Sequence, residues 1–591
     1  MYILGISCFY HDAAAALLQD GNLVAAAEEE RFSRIKHDFG FPQQAIQFCL
    51  KTAGITTNDL DYVVFYEKPL VKFERILLTT LGAFPHSWRT FSEAMITWFN
   101  DKLWVKTLLM RELNIPEQKI IFTEHHMSHA ASSFFCSPFK EAAILTIDGV
   151  GEWTTAAMGY GKASWEDGNA NSVTITHEQR FPHSLGMLYS AFTAFLGFQV
   201  NEGEYKVMGM APYGEPRYCE QIDKLFKLYS DGSFWLNMDY FSFHHSMEQT
   251  YNDRFVKLFG QPRRHEDDFF TSKTNPEIDA NSPKARENQY YADVAASIQQ
   301  VTEKAILAMA NHLYQQTGSK NLCMAGGVTL NSKANGRILK ETPFENLFIQ
   351  PAAGDSGGAL GAALYTYHVL LRQPRRFVQE HSYWGQEFSA PEISSFLNSH
   401  SIQYQEMDDE QIVDQTVNDL LQGKVVGWFQ GRFEWGPRAL GNRSILADPR
   451  QAKMKDIVNT KIKFREPFRP FAPVILDDKV PDYFDADLNG LEYPARYMLV
   501  VLPIHAEAGQ SIQAVNHLGS GRLQTVRQEW NPRYYQAVEK FGQACGVPVL
   551  MNTSFNLRGE PIVTTPQNAW NTFVNSGIDT LVLENFLIRK A

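Results

Sequence analysis

TEHHMSHAASSFFCSPFKEAAILTIDGVGE, residues 123–152, carries the pattern around which the rest of the chain is organised. His125 and His129 stand four residues apart, so a helix would present both imidazoles on one face. The apolar run over 142–147 is typical of a buried strand and ends on Asp148. Because α/β folds place ligand-binding groups at the carboxyl ends of strands, Asp148 is a candidate third ligand. Two imidazoles and a carboxylate favour a divalent ion such as Fe(II), Mn(II) or Zn(II).

The same two histidines also fit a polar helix face or a buried, hydrogen-bonded pair. The HxxxH spacing alone does not separate these alternatives from a metal site. A zincin metalloprotease needs Glu directly after the first histidine, and His126 occupies that position here. Metalloprotease chemistry is therefore not expected.

A layout of strand, polar turn and returning strand occurs twice in the chain. In the first copy, apolar runs flank a turn that holds His11 and Asp12, and a third run completes a three-stranded meander over 2–27. The second copy covers 142–159, about 140 residues later. Two copies predict a duplicated α/β domain of the kind found in actin, sugar kinases and related ATPases. His11 could then face a ligand in the cleft, or Asp12 could merely cap the turn.

Glycine-rich loops follow two further apolar strands. AGGVTLN occupies 325–331, and AAGDSGG occupies 352–358 and precedes a helical pattern. Glycines let backbone approach phosphate, and a helix N-terminus carries the positive end of the helix dipole, so the two loops together predict a nucleotide site. Asp355 in the second loop can close the metal set as a fourth ligand. A third glycine-rich stretch, 201–214, contains Lys206, which could contact phosphate or lie in an ordinary turn.

A change of composition marks a domain boundary. We predict an actin-like domain over 1–372, a linker over 373–387 and a second α/β domain over 388–591. Within the last of these, residues 432–469 contain six Arg and four Lys against four acids, a net of +6 in a chain of −12. Such a reversal predicts an anionic ligand, because arginine suits bidentate recognition of phosphate and carboxylate. A basic surface patch is the alternative.

Composition limits the classes of function. The net charge of −12 over 591 residues argues against a general nucleic-acid binder or a membrane-surface binder. Six scattered cysteines without a CxxC pair fit a reducing cytosol and exclude cysteine zinc ribbons. Neither a signal peptide nor an apolar run of about 20 residues is visible, so a cytoplasmic, soluble protein is expected.

Ten motifs, in order along nearly the whole chain, resemble the O-carbamoyltransferases of nodulation-factor and antibiotic biosynthesis. They are HDAAAAL, EEERFSR, HHMSHAAS, LTIDGVGE, AGGVTLN, AAGDSGGALGAA, GPRALGNRSIL, FREPFRPFAP, GRLQTV and NTSFNLRGEPI. The resemblance implies an actin-like N-terminal domain similar to tRNA threonylcarbamoyl transferase. It also implies a C-terminal domain similar to threonylcarbamoyl-adenylate synthase, with a twisted open α/β sheet. The implied reaction forms carbamoyl-adenylate from carbamoyl phosphate and ATP, then moves the carbamoyl group to a hydroxyl of a small-molecule natural product.

The resemblance also assigns roles to individual residues. The implied metal ligands, with Fe(II) as the expected ion and Mg(II) accompanying ATP, are His125, His129, Asp148 and Asp355. The implied nucleotide-binding residues are Gly326, Gly327 and Asn331, and Lys206 is added from its glycine-rich stretch as a further candidate. His11 matches the acceptor-site histidine, and Asp239 in LNMDYF is a second base candidate. The implied carbamoyl phosphate and ATP contacts are Arg438, Lys463, Arg469, Arg522, Asn552 and Arg558.

Three other functions compete with this hypothesis. Hydrogenase maturation proteins carry Cys-rich zinc modules and an acylphosphatase domain, and this sequence shows neither. A tRNA threonylcarbamoylation enzyme should show an extended basic face, which a net charge of −12 does not favour. A non-catalytic actin-like ATPase module that only binds partners is the third. The expected partner is a small-molecule hydroxyl acceptor, without nucleic acid or membrane, and a homodimer is left open.

Overall fold

The computed structural model describes residues 1–100, 102–246, 248–275 and 277–590, and these divide into two compact units. The first unit consists of Met1–Tyr10, Ala14–Val24 and Leu50–Val378. The second consists of His11–Ala13, Ala25–Cys49 and Gln379–Ala591. Within the described ranges, no helix combines the length and the apolarity that a membrane crossing requires.

Among the described residues, twelve strands precede the C-terminal part of the chain. They are β1 (Tyr2–Ser7), β2 (Ala14–Gln19), β3 (Asn22–Glu28), β4 (Tyr62–Phe65), β5 (Ile120–Phe122), β6 (Glu141–Ile147), β7 (Thr154–Lys162), β8 (Ser172–Arg180), β9 (Phe226–Leu228), β10 (Phe234–Leu236), β11 (Asn321–Ala325) and β12 (Asn346–Ile349). One five-stranded sheet has the order β3-β2-β1-β4-β5, and the other has β12-β11-β6-β7-β8. β9 and β10 form a separate two-stranded sheet.

The two five-stranded sheets have the same topology. In each sheet, three strands form an antiparallel meander. A fourth strand pairs in parallel with the first strand of the meander, and a fifth strand pairs in parallel with the fourth. The parallel strands are almost wholly apolar and buried, as strands covered on both faces must be. The shared strand order confirms the duplicated actin-like α/β domain predicted from the repeated strand–turn–strand layout.

Helices lie between and after these strands in the order of the chain. They are α1 (Glu30–Ser33), α2 (Gln43–Ala53), α3 (Pro69–Gly82), α4 (Trp88–Asn100), α5 (Val105–Leu113), α6 (His125–Phe134), α7 (Leu185–Phe195), α8 (Glu204–Met210), α9 (Cys219–Ile222), α10 (Asp253–Phe259), α11 (Pro283–Thr317), α12 (Ser332–Glu341) and α13 (Asp355–Tyr365). The long helix α11 begins where the Ser282 hydroxyl accepts from the Ala285 amide and Pro283 occupies the first turn. It ends at Gly318, which has a φ of +61°.

Two glycines allow α13 to lie directly against its neighbours. A Cβ at Gly5 of β1 would overlap the carbonyl oxygen of Ala359 in α13. A Cβ at Gly361 of α13 would overlap the carbonyl oxygen of Ser128 in α6. The backbones of α6 and α13 therefore pack closer than a side chain would allow, and both helices carry predicted metal ligands.

The C-terminal part of the second unit contains a mixed eight-stranded open sheet and a separate two-stranded sheet. Its strands and the remaining helices are β13 (Gln405–Glu406), β14 (Val426–Phe429), β15 (Arg443–Ala447), β16 (Ala472–Leu476), β17 (Val501–Pro503), β18 (Ser520–Arg522), β19 (Gln524–Val526), β20 (Val549–Ser554), β21 (Thr580–Leu583), β22 (Phe586–Arg589), α14 (Ala390–Ser399), α15 (Asp409–Leu421), α16 (Lys453–Ile457), α17 (Val480–Tyr483), α18 (Glu492–Arg496), α19 (Ala506–Ser511), α20 (Pro532–Cys545) and α21 (Pro566–Val574). The strand order is β13-β22-β21-β14-β15-β20-β16-β19, and β17 pairs with β18. A buried core that includes Trp428, Tyr534 and Phe541 packs on this sheet. The open sheet confirms the class predicted for this part of the chain.

The largely apolar sequence over 579–588 favours a single strand, but β21 and β22 form an antiparallel hairpin there. The turn places Glu584 at a φ of +51° without a glycine, so the usual hairpin signal is missing from the sequence.

Candidate active site

Three elements of the first unit bring the four predicted metal ligands together. His125 and His129 lie one turn apart on α6, and Asp148 follows β6. Asp355 opens α13 directly after the strand β12 and its glycine-rich loop. Because β6 and β12 run parallel to β11 between them, their carboxyl ends share one edge of the sheet. All four side chains are buried.

The donor atoms of these residues converge on one point. His125 Nε2 lies 3.0 Å from Asp148 Oδ2 and 3.1 Å from His129 Nε2. Asp355 Oδ1 lies 3.7 Å from His125 Nε2 and 3.9 Å from His129 Nε2. Donors at about 2.1 Å from a divalent ion are separated from each other by roughly 3 to 3.5 Å. The spacing and the mixture of nitrogen and carboxylate donors fit such an ion.

The electrostatics of the cluster favour a cation. Burial alone would lower the pKa of His125, but Asp355, Asp148 and Glu67 outweigh it and hold that pKa well above its usual value. Burial would raise the pKa of Asp148, yet its hydrogen bonds with His125 and His129 hold it well below its usual value. The attraction that favours a protonated imidazole here would equally favour a bound divalent cation.

Residues outside the predicted set hold the ligands in place. Glu152 accepts the backbone N–H of His125 at 3.0 Å, at the start of α6. Glu67 Oε2 lies 3.8 Å from His125 Nδ1 and is bound by Lys72 Nζ at 2.6 Å. Tyr66 donates its hydroxyl to Asp355 Oδ2 at 3.4 Å.

The sequence contained a signal for one of these missed residues. Glu67 follows β4, whose carboxyl end obeys the same rule that singled out Asp148. Tyr66 lies at the same strand end, but its hydrogen bond with Asp355, 289 residues away, is a tertiary contact without a local signal. The contact of Glu152 with the His125 amide, 27 residues away, likewise has no local signal.

His126 lies beside the ligands but points elsewhere. Its Nδ1 is 2.7 Å from the Thr146 hydroxyl oxygen. Burial, with His125 and His129 nearby, holds the pKa of His126 well below its usual value. It is therefore a neutral hydrogen-bonding partner of β6, outside the donor set.

The loop 325–331 is joined to the metal cluster but does not open an α-helix directly. Gly327 donates its amide to Asp148 Oδ1 at 3.1 Å, and Gly326 adopts a φ of +96°, where a Cβ would overlap the Ile147 carbonyl. A 3₁₀ turn follows, and α12 starts only after Asn331. Asn331 caps that helix at Ala334 N, 3.1 Å away, and its amide is also paired with the amide of Gln299. The helix N-terminus predicted at the glycines therefore lies four residues later.

The predicted loop around Lys206 is wrong. Lys206 belongs to α8 and is buried, with its ammonium 5.5 Å from the centre of the Phe198 ring. Residues 204–210 are compatible with a helix, because Gly203 lies at the N-cap and Gly209 is the one glycine within α8. Contact of Lys206 with phosphate remains a prediction.

The predicted acceptor-site residues have different surroundings. His11 belongs to the second unit, where its Nδ1 lies 2.8 Å from Asp12 Oδ2, while His37 Nδ1 lies 2.7 Å from Asp12 Oδ1. Asp12 thus bridges two imidazoles. Asp239 is exposed and its carboxylate is bound by Arg254 at 2.5 Å. Its role as a base stays a prediction that this surface ion pair does not favour.

Hydrogen bonds of the buried Asn552 amide join three of the motifs that carry predicted anion-binding residues. The Asn552 amide on β20 donates to the Ala439 carbonyl at 3.1 Å and to Gln524 Oε1 at 2.6 Å. Arg438 precedes Ala439, and Arg522 lies two residues before Gln524. The structure therefore places the GPRALG, GRLQTV and NTSFN motifs side by side.

The other three anion-binding candidates lie around the end of β20. Lys463 Nζ reaches the Ser554 carbonyl at 2.8 Å and Asn556 Oδ1 at 2.6 Å. Arg469 and Arg558 both approach Glu466, at 3.4 Å and 3.9 Å. Burial, with the positive charges of Arg465, Arg469 and Lys36, holds the pKa of the Lys463 amine well below its usual value. An anion bound among these groups would relieve that repulsion.

Comparison with known proteins covers both units. Two family models match the chain: Carbamoyltransferase N-terminus over residues 2–364 and Carbamoyltransferase C-terminus over residues 417–590. An uncharacterized protein of Synechocystis sp. is 47% identical over 626 aligned residues, covering 100% of this chain and 97% of that protein. Nodulation protein NolNO of Sinorhizobium fredii is 35% identical over 597 residues, covering 98% of this chain and 79% of that protein.

A third relative covers about half of each chain. The 3'-hydroxymethylcephem-O-carbamoyltransferase of Amycolatopsis lactamdurans is 34% identical over 274 residues, 46% of this chain and 49% of that protein. Among solved structures, component A of the Acidaminococcus fermentans (R)-2-hydroxyglutaryl-CoA dehydratase has a TM-score of 0.32 and 15% identity, covering 62% of this chain and 98% of that one. A TM-score of 0.32 is too low to support the fold assignment, which rests on the strand order of the two five-stranded sheets.

Proposed function

Because the chain belongs to the carbamoyltransferase family, we propose that it is an ATP-dependent O-carbamoyltransferase that acts on a hydroxyl of a small-molecule natural product. The match of both halves of the family, in order and over most of the chain, carries this proposal. The name of the cephem O-carbamoyltransferase relative supports a hydroxyl as the acceptor. The acidic net charge of −12 disfavours tRNA as the acceptor.

The second unit would form the activated donor. In the proposed reaction, carbamoyl phosphate and water give carbamate and orthophosphate, and carbamate then displaces pyrophosphate from ATP to give carbamoyl-adenylate. One orthophosphate and one pyrophosphate therefore leave per donor formed. The cationic side chains of Arg438, Arg522, Lys463 and Arg469 would neutralise the phosphate charge. Asn552, a neutral amide, and Arg558 would line the same pocket.

The first unit would transfer the carbamoyl group. His125, His129, Asp148 and Asp355 would hold a divalent ion, with Fe(II) as our choice and Mg(II) accompanying ATP. Such an ion supplies Lewis-acid polarisation of a bound oxygen. Gly327, which already touches Asp148, would bring the nucleotide-binding loop to the same place. The proposed base is a residue of the second unit: His11, oriented by Asp12, would receive the proton of the acceptor hydroxyl.

Pyrophosphate release tests the first half of this proposal without knowledge of the acceptor. Purified protein with ATP is assayed with and without carbamoyl phosphate. We expect release only with carbamoyl phosphate, with equal amounts of orthophosphate, and a loss of about 100-fold in Arg469→Ala. Arg450→Ala is the matched control, because Arg450 lies in the same basic segment but is paired with Asp448 at 2.7 Å. If ATP hydrolysis did not depend on carbamoyl phosphate, the result would instead favour an actin-like ATPase module that binds partners and does not transfer a carbamoyl group.

A further inference from the structure

The EEERFSR motif, residues 28–34, belongs to the second unit although it lies near the N-terminus. Glu28 ends β3, and α1 carries Arg31. Both side chains are almost fully buried, with exposed fractions of 5% and 1%. None of the residues in the proposed chemistry explains why two charges should be buried here.

These two side chains form hydrogen bonds with the amide and the carbonyl of one glycine. The Gly436 amide donates to Glu28 Oε1 at 2.8 Å, and Arg31 Nη2 donates to the Gly436 carbonyl at 2.6 Å. Gly436 has a φ of +111°, which residues with a Cβ rarely adopt. The pair therefore stabilises a backbone conformation that glycine adopts more readily than other residues.

The pair is poorly suited to add stability. Arg31 Nε lies 3.5 Å from Glu28 Oε2, and among the described residues neither of these atoms has a hydrogen-bond partner. Burial raises the pKa of Glu28 to about 7 even though Arg31 opposes the shift. A buried, incompletely hydrogen-bonded ion pair is often no more stabilising than apolar residues of the same volume. A positional role explains its presence better than stability does.

The glycine lies at the base of the loop that carries Arg438. Within that loop, Glu434 Oε1 accepts the amides of Leu440 and Asn442 at 2.7 Å and 2.8 Å. On the far side, Asn552 and Gln524 hold the Ala439 and Leu440 carbonyls. With Gly436 held by the Glu28–Arg31 pair, the backbone is restrained on both sides of Arg438.

A second set of contacts joins the motif to the segment after Arg558. Arg34 donates to the carbonyls of Ile562 and Pro561 at 2.6 Å and 2.7 Å. The Thr564 hydroxyl donates to the Arg31 carbonyl at 2.6 Å. The same short motif thus contacts two of the loops that bear anion-binding candidates.

We propose that the Glu28–Arg31 pair is a positioning element of the anion-binding site in the second unit, acting through Gly436 on Arg438. The proposal rests on the proposed function only for the role of Arg438 as an anion contact. Neither charge touches the substrate. The pair sets the backbone from which the Arg438 guanidinium reaches a phosphate group.

The test measures binding of inorganic pyrophosphate to the full-length chain by calorimetry, without turnover. Wild type, Arg31→Lys, Arg438→Ala and the double variant form a thermodynamic cycle. We expect Arg31→Lys to weaken binding about tenfold in the wild-type background and less than about twofold when Arg438 is already alanine. If Arg31→Lys folds poorly, Glu28→Gln replaces it in the cycle. Glu28→Gln keeps an acceptor for the Gly436 amide but loses the charge, and we expect the same non-additivity with Arg438→Ala.

Arg375→Lys is the control for a purely structural effect. Arg375 is equally buried, lies in the first unit and also donates to backbone carbonyls, at Phe139 and Phe135. It should lower the unfolding temperature without changing pyrophosphate affinity. Additive effects of Arg31→Lys and Arg438→Ala, or no loss of binding in either, would overturn the proposal. Pyrophosphate binding with the expected cycle but without carbamoyl-phosphate-dependent turnover would refute the proposed function and leave the positioning role intact.

Discussion

At the scale of single residues, the four donors of the first unit determine whether the chain holds a metal ion. After dialysis against a chelator and anaerobic reloading with Fe(II), we expect one ion per wild-type chain by elemental analysis. Asp355→Ala removes a carboxylate from a buried cluster that favours positive charge, and should weaken binding by about 100-fold or more.

His126→Gln is the matched control for that experiment. His126 is buried on the same helix, but its hydrogen bond goes to Thr146 and its side chain lies outside the donor set. It should keep the ion. Equal metal content in Asp355→Ala and wild type would remove Asp355 from the ligand set.

The sequence predicted these four donors better than it predicted the residues that hydrogen-bond to them. His125 and His129 were visible from helical spacing, and Asp148 and Asp355 from their position after strands. The support from Tyr66 was not visible, because it depends on tertiary contact with a residue 289 positions away. Likewise, the sequence did not show that Asp12 bridges His11 and His37, since His37 lies 25 residues further on with no periodic pattern between.

At the scale of elements, the close packing of α13 on α6 is what brings Asp355 to the two histidines. Gly361→Ala would place a methyl group on the Ser128 carbonyl oxygen of α6. We expect a loss of about 2 to 3 kcal/mol in the free energy of unfolding, because two backbones would have to separate. Metal affinity should fall as well, since the helices that carry the ligands move apart. Chemical denaturation and metal titration measure the two effects.

Gly354→Ala provides the control within the same segment. A Cβ at Gly354 meets no atom within 4 Å, and its φ of −74° suits any residue. Stability and metal binding should be nearly unchanged. If Gly361→Ala were equally harmless, close approach of α6 and α13 would not be what positions the ligands.

Elements were predictable where local pattern and tertiary environment agree. The three-stranded meander and α11 follow the apolar periodicity of the sequence and its capping residues. The α8 helix and the hairpin at Glu584 do not, because glycines in the first and a non-glycine turn in the second give the opposite local signal.

At the scale of the whole molecule, the division into units does not follow the order of the chain. Residues 25–49 belong to the second unit, so a fragment covering only 379–591 lacks part of its own core. Phe433, for example, is fully buried and packs against Phe32 and Phe48 at ring distances of 6.0 Å and 6.1 Å. Without those partners the fragment would expose apolar and charged groups that the complete unit covers.

We therefore expect the fragment 379–591, expressed alone, to aggregate or to unfold without cooperativity, because the segment that supplies Arg31 and Phe32 is missing. Co-expression with 1–378 restores that segment, and the two pieces should co-purify and regain pyrophosphate binding. Gel filtration and thermal unfolding followed by circular dichroism distinguish the cases. If the fragment alone unfolded cooperatively, at the unfolding temperature of the intact chain, residues 25–49 would not be required for the fold of the second unit.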